Sequence, residues 1–100
     1  MATPRVLNFQ EYKRHGLPLG AVHIGRAMPR YGLRASKWAN KFMVERDGTR
    51  DEVIALYERW LHDERPDLMV ALPELRGVDL VCWCAPKRCH GDVLVRLANG

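Results

Sequence analysis

One hundred residues with 47% hydrophobic side chains supply one compact core and too little for two, so 1–100 is read as a single domain. No apolar run approaches the roughly 20 residues that span a bilayer, and the opening Met-Ala-Thr-Pro-Arg-Val lacks a long apolar segment, which points to an unexported, cytoplasmic protein without a membrane partner. The net charge of +4 divides unevenly, because residues 1–50 carry ten Lys/Arg against three acids and residues 51–100 carry six against nine.

In chain order, Val6–Phe9 is a short apolar run that predicts a strand, followed by a basic segment and the turn-like Gly16-Leu17-Pro18. Ala21-Val22-His23-Ile24, closed by Gly25, predicts a second strand. Pro29 and Gly32 break any regular helix through 26–42, so that stretch reads as a loop with a helical turn around Ser36–Asn40. The clearest helix follows. Thr49-Arg50-Asp51-Glu52 fits a capping box, and Val53, Leu56, Tyr57, Trp60 and Leu61 then fall on one face of a helix reaching Glu64. Pro66 ends or restarts it, Asp67–Leu75 supplies a shorter piece interrupted at Pro73, and Gly77 stops that piece. Asp79–Cys84 is the best strand candidate, and Cys89–Ala98 predicts a final helix with Val93, Leu94, Leu97 and Ala98 inward. The fold class is therefore α/β: a short, mostly parallel sheet built on a βαβ unit from 21–25 through 49–76 to 79–84, with flanking helices. The two strands of that unit should be parallel neighbours. Ligands of such sheets gather beyond the carboxyl ends of strands, so the loop from Gly25-Arg26 and the loop Ala85–Arg88 are expected to face one another.

The second of those loops belongs to Cys82-Trp83-Cys84-Ala85-Pro86-Lys87-Arg88-Cys89-His90, which holds all three cysteines of the chain and one of its four histidines. Without a secretory context these should be reduced thiols. Cys82, deeper in the strand, reads as a small buried apolar residue. Cys84 at the strand end is a better functional candidate, and Cys89 and His90 should sit in the first helical turn, where unpaired amides favour a thiolate or an anion. Three uses compete. A zinc-type site would draw on Cys82 or Cys84, Cys89 and His90, with His23 or water as a fourth ligand. However, the spacing is not that of a zinc ribbon or finger, so no residue is assigned to a metal. Nucleophilic chemistry would use Cys84 or Cys89, with His90 as acid or base and Asp92 as orienting carboxylate. The third use is packing and capping at a strand–loop–helix corner.

Arg26, Arg30, Arg34, Lys37 and Lys41 follow one another without an intervening acid, with Tyr31 and Trp38 among them. This gives a local positive field for phosphate or another anion, with nucleic acid as a further candidate partner, or else a solvated basic face with its aromatics anchored in the core.

The combination Gly25-Arg26, Ser36-Lys37-Trp38-Ala39-Asn40, Cys82-Trp83-Cys84-Ala85-Pro86 and Cys89-His90-Gly91-Asp92 resembles a family of small bacterial and bacteriophage domains of unknown function over roughly residues 20–98. That family's pattern reads Asn-Pro-Phe where this chain has Asn40-Lys41-Phe42. A looser resemblance is to another uncharacterised α/β family in which Cys-His-Arg opens the helix; Gly91 stands here in place of that arginine. The first resemblance implies that Gly25, Arg26, Ser36, Lys37, Trp38 and Asn40 act as a set. Arg26 would clamp a phosphate or carboxylate, Lys37 would add a point charge, Ser36 and Asn40 would fix polar edges, and Trp38 would form a wall or pack in the core. The resulting expectation is a ligand-binding α/β domain, an enzyme or former enzyme, acting on an anionic nucleotide- or nucleoside-like small molecule. No reaction or cofactor is assigned. The rival expectations are a nucleic-acid or protein-binding module using the basic loop 26–41, and a metal-stapled structural domain.

Overall fold

Strand and helix periods set the architecture that positions the thiols. The computed structural model describes residues 4–14, 16–84 and 87–100. Three strands, β1 (Val6–Asn8), β2 (Val22–His23) and β3 (Leu80–Cys82), form one sheet in the order β1-β3-β2. Both pairings are parallel, with Val6 and Val22 each opposite Leu80. β2 and β3 are thus the parallel neighbours expected of the βαβ unit, and β1 takes the free side of β3.

Each strand is shorter than its apolar run. Phe9 leaves β1 because the Asn8 side chain accepts the Gln10 N–H at 2.8 Å and starts a 3-10 turn over Phe9–Glu11. Ile24 follows β2 with its N–H still donated to the Val81 carbonyl at 3.0 Å.

Alternation along the strands divides the interior in two. Val6, Val22, Ile24, Leu80 and Cys82 turn to the face covered by helices. Leu7, Val81 and then Phe9 turn to the other face, where Met28, Tyr31 and Leu33 of the basic loop close a smaller core. Tyr31 and Phe9 meet edge to face at 5.1 Å, so Tyr31 anchors the loop.

Helix α1 (Arg50–Glu64) begins at the predicted capping box: Thr49 Oγ1 accepts the Glu52 N–H, and the Glu52 carboxylate accepts the Thr49 N–H. Its buried stripe is Val53, Ile54, Tyr57 and Leu61, while Leu56 and Trp60 lie half-buried at its margin. Pro66 occupies the first turn of α2 (Pro66–Ala71), where its missing N–H costs nothing, and Pro73 lies in a 3-10 turn over Leu72–Leu75. Gly77 adopts φ 71°, the left-handed conformation that turns the chain toward β3.

Helix α3 (His90–Asn99) packs on the sheet through His90, Gly91, Val93, Leu94 and Ala98, with Leu97 half-buried. Because all strands run the same way, the chain leaves β2 at Gly25-Arg26 and β3 at Trp83-Cys84 on one edge of the sheet. The N-termini of α1 and α3 come back to that edge, tied by Arg50 donating to the Arg88 carbonyl at 3.0 Å and by the Arg88–Asp51 ion pair at 2.7 Å.

Candidate functional site

An open cavity of about 390 Å³ occupies this carboxyl edge. Cys82, Cys84, Cys89 and His90 line it together with Gly25, Arg26 and Asn40 from the earlier loop. The convergence expected of the two loops is therefore present. Ala85 and Pro86, expected in the second loop, lie outside the described residues.

The three thiols are a single group. Their sulfurs all lie within 4.8 Å of one another, and Cys82 Sγ is 3.2 Å from Cys89 Sγ. Cys82 is 2% exposed, as the reading of a core residue requires, yet its sulfur belongs to the cluster rather than to packing alone. Strand alternation brings Cys82 to the helical face, and the helix start brings Cys89 to meet it. Backbone amides support both sulfurs: Cys82 Sγ accepts the Cys84 N–H at 3.4 Å and Cys89 Sγ accepts the Gly91 N–H at 3.3 Å. Cys89 is the N-cap of α3, and Asp92 completes the box by accepting the Cys89 N–H at 2.9 Å. The spacing Cys89-x-x-Asp92 is that of a capping box with sulfur in place of a hydroxyl, a signal that was present in the sequence.

Thiol hydrogen bonds from Cys82 and Cys89, with the Arg50 guanidinium alongside, hold the Cys84 thiol well below its ordinary range. Thiol contacts with Cys82 and Cys84 push the Cys89 thiol upward, aided by burial. These contacts favour negative charge on Cys84 over Cys89, and Cys84 is half-buried and lines the cavity. His90 is 7% exposed, and its Nε2 is 2.8 Å from the Ile24 carbonyl, to which the neutral ring can donate. Burial holds its pKa below the usual histidine value. Its ring meets Tyr57 edge-on at 4.9 Å.

The other expected residues separate into two groups. Arg26 reaches the Asn40 carbonyl at 3.4 Å, and the Asn40 side chain accepts the Phe42 N–H at 2.9 Å, so the two brace one cavity wall. Ser36 instead accepts the Trp38 N–H, Trp38 is buried in the main core, and Lys37 pairs with Glu74 at 2.9 Å. None of these three lines the cavity. Among the described contacts, Asp92 is engaged with Cys89 and His90 with Ile24, so Cys84, His90 and Asp92 are not joined in a relay. His23 lies outside the sulfur group, and its Nε2 is buried without a hydrogen-bond partner among the described residues.

Sequence reasoning passed over Arg50 and Arg88, which add two guanidinium groups to the lining, and Met28, Phe42 and Met43, which make it largely apolar. Arg50 carried a usable signal, because a cation in the first turn of a helix opposes the dipole and needs a compensating partner.

Residues 7–100 match a family described as a domain of unknown function, DUF4326. The chain belongs to the DUF4326 family. It is similar to the uncharacterized protein R718 of Acanthamoeba polyphaga mimivirus, with 29% identity over 97% of this chain and 81% of the mimivirus protein. It is also similar to an uncharacterized 12.4 kDa protein in the nrdA-td intergenic region of Enterobacteria phage T4, with 32% identity over 66% of this chain and 63% of the phage protein. No solved structure matches. This DUF4326 chain thus has viral and phage relatives.

Proposed function

We propose that this domain is an enzyme that binds an anionic nucleotide- or nucleoside-like small molecule in the carboxyl-edge cavity, with the thiol cluster as its reacting centre. The observation that carries the reading is the composition of that cavity. Three thiols, Arg26, Arg50 and Arg88 stand with Phe42, Met28 and Met43 around about 390 Å³, a volume suited to a small ligand with one charged and one apolar part. Guanidinium groups suit phosphate or carboxylate, and the thioether and aromatic groups suit the flat face of a base. Arg88 is paired with the Asp51 carboxylate, whereas Arg26 and Arg50 meet backbone carbonyls and, for Arg50, the Cys84 thiol, so Arg26 and Arg50 are the groups assigned to the anion.

The rival use of the basic loop as a nucleic-acid surface has less support. Lys37 is paired with Glu74, Lys41 lies over the Trp60 ring, and Tyr31 is packed against Phe9.

Calorimetric titration with adenosine 5′-monophosphate and with adenosine tests the reading. The monophosphate should bind more tightly, and Arg26→Ala and Arg50→Ala should each weaken it by about ten- to hundredfold, the usual worth of a charged hydrogen bond. Equal affinity for the two compounds, or monophosphate binding indifferent to both substitutions, would contradict it.

A further inference from the structure

The geometry points to a zinc site made by Cys82, Cys84 and Cys89, with its fourth coordination position open to the cavity. Zinc binds thiolate at about 2.3 Å, which sets neighbouring sulfurs in a tetrahedral site about 3.8 Å apart. The three sulfurs here lie within 4.8 Å of one another, and the Cys82–Cys89 pair, at 3.2 Å, needs to open only slightly. No deep backbone change is required, because one end of β3 and the cap of α3 already present the ligands.

The surroundings of the sulfurs are those a metal-bound thiolate needs. The amides of Cys84 and Gly91 point at Cys82 Sγ and Cys89 Sγ, and amide donors to ligating sulfur fix its orientation and offset its charge. Three thiolates around one divalent ion leave a net charge of −1, and Arg50 stands beside Cys84 to balance it. Binding would release the thiol protons to solvent, and no oxidant or reductant enters. No other Cys, His, Asp or Glu among the described residues brings a ligand atom into the group, and His90 Nε2 is held at the Ile24 carbonyl. The fourth ligand is therefore water or a donor atom of the molecule in the cavity, the arrangement of a working rather than a closed structural centre.

Only the use of that fourth position rests on the ligand-binding reading above; the ion site itself does not. The full chain, purified in a non-thiol reductant without added metal, is stripped, titrated with zinc or cobalt(II), and followed by elemental analysis and the thiolate-to-cobalt charge-transfer band. About one ion per chain is expected, with the band present in wild type and lost or strongly reduced in Cys84→Ser. Cys84 is the informative position because it is only half-buried, and a circular dichroism spectrum equal to wild type certifies the variant's fold. No stoichiometric ion and no band, or a band unchanged in folded Cys84→Ser, would overturn the inference. Titration of adenosine 5′-monophosphate into the stripped and the loaded protein separates the two proposals. Nucleotide binding without any zinc uptake would remove only the ion, and zinc uptake without nucleotide binding would remove only the ligand.

Discussion

Tyr57 shows how much a single side chain ties together. Its ring is fully buried on α1 against His90, while its hydroxyl donates to the Trp38 carbonyl at 2.6 Å inside the core. Burial raises the phenol's pKa far above its ordinary value, so it stays a neutral donor at any physiological pH. Tyr57→Phe keeps the ring and strands a buried carbonyl, a loss of about 1–3 kcal/mol. Urea denaturation should show that loss as a lower midpoint with an unchanged slope; an unchanged midpoint would mean that the Trp38 carbonyl has another partner. The helical spacing identified Tyr57 as a core residue and could not reveal its hydroxyl's partner, which lies 19 positions away. Cys82 is the complementary case. Its burial was legible from its depth in a strand, but its contact with Cys89 depends on where a helix begins.

At the scale of elements, the seating of α3 decides the shape of the site. Gly91 lets the first turn approach the sheet so closely that an added Cβ would meet Ile24 Cδ1 at 2.9 Å and Val6 Cγ2 at 3.0 Å. The resemblance that notes an arginine at this position in another family gave no hint of such an approach. Gly91→Ala should overpack the junction, lowering stability by about 1–3 kcal/mol. A thermal melt should fall by roughly 4–8 °C for each kcal/mol lost in a domain of this size. A melt unchanged or raised would show that the helix can shift without cost. The strands are legible as apolar runs and the α1 cap as a motif, yet the apolar runs pass the strand ends by one or two residues. What ends β1 is a side-chain hydrogen bond at Asn8, which no apolar pattern records.

Across the whole molecule, three parallel strands deliver two loops and two helix starts to the same edge. The expectation that 25–26 and 84–90 would converge follows from that topology and needs no side-chain detail. The division of labour among the cations does not follow from it. Of the five in the basic run, Arg26 faces the cavity, whereas Lys37 pairs with Glu74 and Lys41 lies over Trp60. Arg50 and Arg88 join the cavity from the other side of the charge boundary, held by contacts between two helix starts 38 positions apart. Charge order along the chain therefore located a basic region and not the cavity's own cations.

The most direct test of the account is an experimental electron-density map of the reduced protein soaked with adenosine 5′-monophosphate. The phosphate is expected within hydrogen-bond reach of Arg26 or Arg50 and the base against Phe42 or Met43, beside the three thiols. A well-ordered cavity holding only water, with the nucleotide absent or bound elsewhere on the surface, would contradict it.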